Sequence, residues 1–254
     1  MDQNAKDPPS LLSPDLRIEI AELALRHRKA NGPMMALVNR LGGSLESQLS
    51  LIPGPVRARI EGVVADALAT SYGLAGRAPD VGGAQGPLMA AMASGAAGGA
   101  GGIVTSVAEL PVTITLILLA IRRAATEAGF DPDAPHIRAE CLKVFASGGP
   151  LAVDDGINTS FLSARLTITG PALNKIIATV APKLAAAMGQ KLAVQMVPVL
   201  GAVTGAALNA AFLRYYREVA RIRFALLRLA KAHGAEAVLT QFAAAAAALP
   251  IRKA

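Results

Sequence analysis

Two long stretches of the chain are almost free of charge. Between Val81 and Ile121 the only formal charge is Glu109, and between Leu192 and Leu213 there is none. The first stretch changes texture at Glu109. Met89 to Gly102 is built largely of Ala, Gly and Ser, while Leu110 to Ile121 is apolar on nearly every face and runs into Arg122-Arg123. Ser94, Gly98 and Gly102 recur every fourth residue, so a helix here has one nearly bare face. Such a face lets a second helix approach closely, most often in membranes. The same composition also suits a floppy linker, since each Gly costs a helix about 1 kcal/mol against Ala. Ile103 to Ile121 approaches the length of a bilayer span only with Glu109 and Pro111 inside it. An ionised carboxylate is costly there, which points to a re-entrant or interfacial placement. Leu192–Leu213 has the length of a span, and Gly201-xxx-Gly205 offers a second close-packing face. Pro198, Thr204 and Asn209 fit a buried core helix equally well.

The flanking pattern is helical. Ser13-Pro14-Asp15 is a helix start, with a hydroxyl cap, Pro at the first helical position and an acid in the first turn. That helix carries Leu16, Ile20, Leu23 and His27 on one side and ends near Asn31-Gly32. A short helix follows from Pro33 to Leu41. Pro53-Gly54-Pro55 is a break, and Val56, Ile60, Val63, Val64, Ala67 and Leu68 then keep helical period up to Ser71. Gly76 to Gly86 reads as a loop or hinge. Asp131-Pro132-Asp133-Ala134-Pro135 is a turn that opens a helix burying Ile137, Cys141, Leu142 and Phe145, with Arg138, Glu140 and Lys143 outside. Gly148 to Asn158 is a polar loop, and Ser163 to Thr169 is a helix or irregular segment without a partner strand. Pro171 to Met188 is helical with a break expected at Pro182. Arg214, Arg217, Arg221 and Arg228 share one side of a helix beside Leu213, Tyr216, Ala220, Phe224 and Leu227. Ala235 to Leu249 closes the chain as a helix stopped by Pro250.

Composition sharpens this picture. Charged residues are 17% of the chain and hydrophobic ones 53%, with no Trp. Average soluble domains carry about 25% charged residues, so an apolar surplus must enter a tight helical core, an interface or lipid. The net charge of +7 favours a polyanionic partner. Aromatics for stacking on bases are few and Lys/Arg does not form a nucleic-acid motif, so an anionic membrane surface is expected rather than nucleic acid. A basic amphipathic helix following an apolar block suits such a surface; a solvated face over a packed core gives the same spacing. Cys141 is the only cysteine, so no intramolecular disulfide forms and a reducing compartment is expected. Met1 to Pro14 contains no apolar signal core. The expected location is the cytoplasm, peripheral to or partly inserted in the inner membrane.

Candidate chemistry is sparse. Glu109, a lone carboxylate beside Pro111, is the most conspicuous residue, because charges in apolar surroundings are often functional. It also suits the N-terminus of a helix whose first turn holds Pro111, or a pairing in the core. Asn209 can bond across to Glu109 or to backbone freed by Pro198. Cys141 lies one step off the line joining His136 to Glu140 on a helix, which fits a buried structural thiol better than a nucleophile. His27, His136 and His233 match no metal spacing. Asp154-Asp155-Gly156 lacks the alternating acids of a calcium loop, and the glycines before Gly102 lack the Gly-Lys-Ser/Thr ending of a phosphate loop. No cofactor or metal is expected.

Three patches in order resemble the EcsC protein family. They are Glu109-Leu110-Pro111-Val112-Thr113 leading into Ile121-Arg122, Arg138-x-Glu140-Cys141-Leu142-x-Val144-Phe145, and Val197-Pro198-Val199-Leu200-Gly201-Ala202-Val203-x-Gly205-Ala206-Ala207-Leu208-Asn209 followed by Phe212 and Phe224. The resemblance runs over roughly Ile103 to Gly234, about half the chain. The chain departs from the pattern at Arg223, where the family carries His. The resemblance implies an all-helical, membrane-associated bacterial protein near an export and processing transporter, and it lends no catalytic residues.

The expected fold is therefore all-α, a multi-helix bundle built around two apolar, Gly/Ala-rich hairpin-like blocks. Residues 1–80 form an N-terminal helical region and 81–254 the EcsC-like helical domain, or the two form one continuous domain. The expected role is non-enzymatic, as an accessory or lipid-binding protein. Glu109, Pro111, Asn209, Arg214, Arg217 and Arg221 are the residues expected at a lipid, hydrophobic-ligand or membrane contact. A membrane protein complex and a second copy of the chain are further candidate partners. The alternative is a soluble helical enzyme on a lipid-like substrate, with Glu109 as acid or base.

Overall fold

The computed structural model describes residues 12–30, 54–77, 85–100, 102–147, 170–195 and 201–248. Among them every element is helical: α1 Pro14–Ala30, α2 Gly54–Arg77, α3 Gly86–Ala100, α4 Gly102–Glu127, α5 Pro135–Lys143, a 3₁₀ turn Val144–Ser147, α6 Gly170–Gln195, α7 Gly201–His233 and α8 Ala235–Ala247. The all-α bundle expected from the periodicity is the observed fold. The expected helix 33–41, the loop 148–158 and the segment 163–169 lie outside the described residues.

Local chemistry places the helix ends. The Ser13 hydroxyl accepts from the Leu16 N–H at 3.3 Å, which caps α1. Gly129, with φ +85°, stops α4; there the Phe130 N–H reaches the Ala125 carbonyl at 3.0 Å and the Gly129 N–H reaches Thr126 at 2.9 Å. A left-handed residue at this position costs glycine little. Gly234, at φ +90°, separates α7 from α8.

The expected break at Pro182 and the helix start offered at Pro111 are both absent. Pro111 and Pro182 both lie inside continuous helices. Each removes one intrahelical bond, at about 3 kcal/mol. Both rings are on exposed faces, while the opposite faces of the same turns are locked into the core by Leu110 and Ile114 on α4 and by Ala181 and Leu184 on α6. Packing thus overrides propensity. Consequently α4 does not start at Glu109, and the carboxylate caps no helix. α2 likewise runs on past Ser71 to Arg77, because Tyr72 and Ala75 continue its buried side.

The main core joins α2 (Ile60, Val64, Leu68), α4 (Leu110, Ile114, Leu118), α5, α6 and the first two-thirds of α7. A second cluster packs α1 and α8 against the end of α7 through Leu16, Ile20, Leu23, Leu226, Val238 and Phe242. α7 is therefore a central helix. α3 is held between α4 and α7, and the Ala/Gly segment is a helix rather than a linker. The bare face differs from the expected one: Ala91, Gly95 and Gly98 are its buried positions, while Gly102 begins α4. A Cβ on Gly95 would lie 2.2 Å from the Gly205 carbonyl oxygen, so the backbones of α3 and α7 touch. This contact uses the second Gly of the expected Gly201-xxx-Gly205 face.

Candidate functional site

The close approach of α3 to its neighbours seats a buried polar cluster drawn from four helices. Glu109 on α4 is 8% exposed and Lys191 on α6 is fully buried. The Lys191 ammonium donates to Glu109 Oε2 at 2.7 Å. Three groups donate to the other oxygen, Oε1: Ser94 Oγ of α3 at 2.7 Å, Asn209 Nδ2 of α7 at 2.7 Å, and the Thr113 hydroxyl one turn along α4. Asn209 Nδ2 also faces the Ala91 carbonyl at 2.9 Å and Ser94 Oγ at 3.1 Å. Gly98 makes room for the carboxylate, since a Cβ there would sit 3.2 Å from Glu109 Cβ and Cγ. The Gly98 carbonyl accepts from the Thr105 and Ser106 hydroxyls at 2.8 and 2.9 Å, tying α3 to α4.

Burial alone would raise the pKa of Glu109. The Lys191 charge and the hydroxyl donors outweigh it and hold the carboxyl below its ordinary value. For Lys191, burial draws the ammonium down and Glu109 holds it back. Glu109 is thus an anion whose two oxygens are engaged, and a poor proton acceptor.

A second polar cluster lies at the other end of α4. Glu140 of α5 is buried rather than outside as expected. Arg223 of α7 reaches its Oε2 through Nε at 3.0 Å, and Lys143 reaches its Oε1 at 2.9 Å. The charge is buried because a cation arrives from another helix to meet it. Nearby, the Tyr72 hydroxyl of α2 donates to the Pro132 carbonyl, and the guanidiniums of Arg122 and Arg138 lie 4.7 and 4.6 Å from the Tyr72 ring centroid. Cys141 is buried here, as expected, and burial pushes its thiol up to about 12 against the pull of Tyr72 and Arg122.

Of the residues singled out from sequence, the fold brings Glu109 and Asn209 together. Pro111 lies on the exposed face of α4, Arg214 is exposed on α7, Arg217 is half-buried, and Arg221 pairs with Glu127 at 3.0 Å. These four do not join the cluster. Lys191, Ser94 and Thr113 were not anticipated. A signal for Lys191 exists: it is the only charge between Leu184 and Leu213, as Glu109 is between Val81 and Ile121. Two lone, opposite charges in apolar runs ask for each other.

Among the described residues no group of His, Cys, Asp and Glu has the arrangement of a metal site. Among the described residues one helix, at Val104–Glu127, is long and apolar enough to cross a membrane, with mean hydropathy 2.0, but 56% of its most apolar window is buried in the bundle. A core helix passes the same test.

The chain is a helical bundle with a buried carboxylate–lysine pair beside the small-residue helix α3. The EcsC protein family model matches residues 84–229, from just before α3 into the last part of α7. The chain therefore belongs to the EcsC protein family. No curated protein and no solved structure matches it.

Proposed function

We propose that the protein is a non-enzymatic accessory that associates with the inner face of a bacterial membrane and holds lipid or another hydrophobic ligand beside a transport or processing complex. One observation carries the reading. Gly95 packs on Gly205, and Gly98 on Glu109, so the last turn of α3 lies beside the first turns of α4 and α7. Val104 and Val203 project from those first turns, 73% and 74% exposed. The described segments that meet there, 86–100, 102–108 and 201–213, carry no charge. An exposed apolar tip whose nearest charge on its own helices, Glu109, is buried and paired is suited to shallow insertion below the headgroups. Arg214 lies about 16 Å along α7 from Val203 at 1.5 Å per residue, where an exposed cation stays among anionic headgroups. The net charge of +7 supports the same partner.

The alternative, Glu109 as acid or base on a lipid-like substrate, draws no support from a carboxylate already engaged by four donors. The test is co-sedimentation with vesicles of phosphatidylglycerol and phosphatidylcholine, beside fractionation of the expressed protein with salt, carbonate and detergent. Binding to the anionic vesicles is expected, with loss in Val104→Glu/Val203→Glu. A protein that stays soluble in fractionation and ignores both vesicle types overturns the reading.

A further inference from the structure

The Tyr72 cluster holds more positive charge than it neutralises. Arg122 is 7% exposed, and its Nη2 alone contacts Asp133, at 3.0 Å to each oxygen. Asp133 itself is 73% exposed at its side chain. Nη1 of Arg122 and Nε of Arg138 are buried without any hydrogen-bond partner. Arg138 is half-buried and makes no ion pair among the described residues; its guanidinium rests on the Tyr72 ring. The remaining nearby acids are committed elsewhere. Asp131 accepts from the Asp133 backbone N–H at 2.9 Å, and Glu140 is shared by Arg223 and Lys143. Gly76 leaves the room the first guanidinium occupies, since a Cβ there would lie 3.0 Å from Arg122 Nη2.

Bringing two guanidiniums to one aromatic ring is unfavourable unless an anion compensates them. A cation–π contact returns about 0.5–2 kcal/mol, whereas a buried polar group left without a partner costs about 1–3 kcal/mol, more when charged, and each guanidinium has one such nitrogen. The neighbouring helix end is also open to an anion. Ala134, the N-cap of α5, gives no side-chain cap and the first turn holds no acid, so of the internal acids only Asp131 and Asp133, just before it, stand near its positive end. Guanidinium forks match tetrahedral oxyanions in geometry.

We propose that Arg122 and Arg138, presented by Tyr72 at the start of α5, form a binding site for a phosphate group. The group is either free or the headgroup of a phospholipid. The phosphate would accept from Arg122 Nη1 and from the Arg138 guanidinium, while Asp133 keeps its hold on Nη2. This site is separate from the apolar tip, and it stands whether or not the tip inserts.

The test is titration of the full chain with inorganic phosphate by calorimetry, and co-sedimentation with vesicles of equal phosphatidylglycerol and phosphatidylcholine. The wild type, Arg138→Gln and Arg138→Lys are compared, with thermal melts in phosphate-free buffer as the folding control. Saturable phosphate binding that falls at least tenfold in Arg138→Gln, and partly in Arg138→Lys, supports a site for free phosphate. Absence of phosphate heat, with vesicle binding that falls in Arg138→Gln, supports the headgroup. Both require that the phosphate-free melting point of Arg138→Gln fall by no more than the loss of one cation–π contact accounts for, because a merely structural arginine would lower it further. Binding that is absent in both assays, or equal in wild type and Arg138→Gln, overturns the site.

Discussion

Glu109 and Arg122 stand on the same helix about 20 Å apart, and their surroundings differ in one respect. At Glu109 both carboxylate oxygens meet donors from α3, α4, α6 and α7, and the one buried polar atom left over is Asn209 Oδ1. At Arg122 a half-covered group of cations keeps two buried nitrogens without acceptors. The first cluster is closed and serves packing. It registers four helices against each other, since only one rotation of each aims its polar side chain at the others. The second is unsatisfied, and a charged cluster with unmet donors is where a ligand has something to contribute.

The largest expected effect comes from breaking the closed cluster. Lys191→Ala leaves Glu109 buried and unpaired, at about 3–5 kcal/mol by loss of a buried partner; urea unfolding midpoints measure it. Glu109→Leu combined with Lys191→Met should recover part of that loss, since an apolar pair is often as stable as an ion pair. Gly95→Ala comes next. Its methyl must displace the α7 backbone, and a loss of about 1–3 kcal/mol is expected for overpacking. Against these, Arg138→Gln should change stability by no more than about 1 kcal/mol in phosphate-free buffer. If Lys191→Ala and Arg138→Gln proved equally destabilising, the contrast between closed and unsatisfied clusters would be lost.

Acid sharpens the same contrast. The folded pKa of Glu109 lies below its ordinary 4.5, so its contribution is fully present above 4.5 and disappears as pH falls through the lower folded value. The melting temperature of the wild type should drop more steeply below pH 4.5 than that of Glu109→Gln. The smallest effect is at Cys141. With its thiol pushed up to about 12 and buried, a maleimide should label it only as fast as the protein unfolds; rapid labelling of the folded chain would contradict this.

Much of the fold is legible along the chain, because helical period is a local property. Ser13-Pro14 placed the start of α1, Asp131 to Pro135 the start of α5, and the alternation of Leu16, Ile20 and Leu23 a face that is buried. The candidate site was half legible. Glu109 stood out as a lone charge, and Asn209 was a foreseeable bridge. Periodicity says which residues share a face and not which faces meet, so Lys191, 82 residues from Glu109, could be suspected only from its own isolation in an apolar run. Glu140 showed the same limit, as it read as solvated until Arg223 arrived from 83 residues away.

The sequence by itself determined that the chain is helical, that its apolar surplus is concentrated in two uncharged blocks, and that one carboxylate lies inside the first. Tertiary structure alone decided that Pro111 and Pro182 interrupt nothing, that Gly95 meets Gly205 backbone to backbone, and which cation answers each buried acid. The physical reason is one of range. Helix propensity and period act over a few residues, whereas the desolvation of a charge and the packing of a bare helix face are settled only when distant helices come into contact.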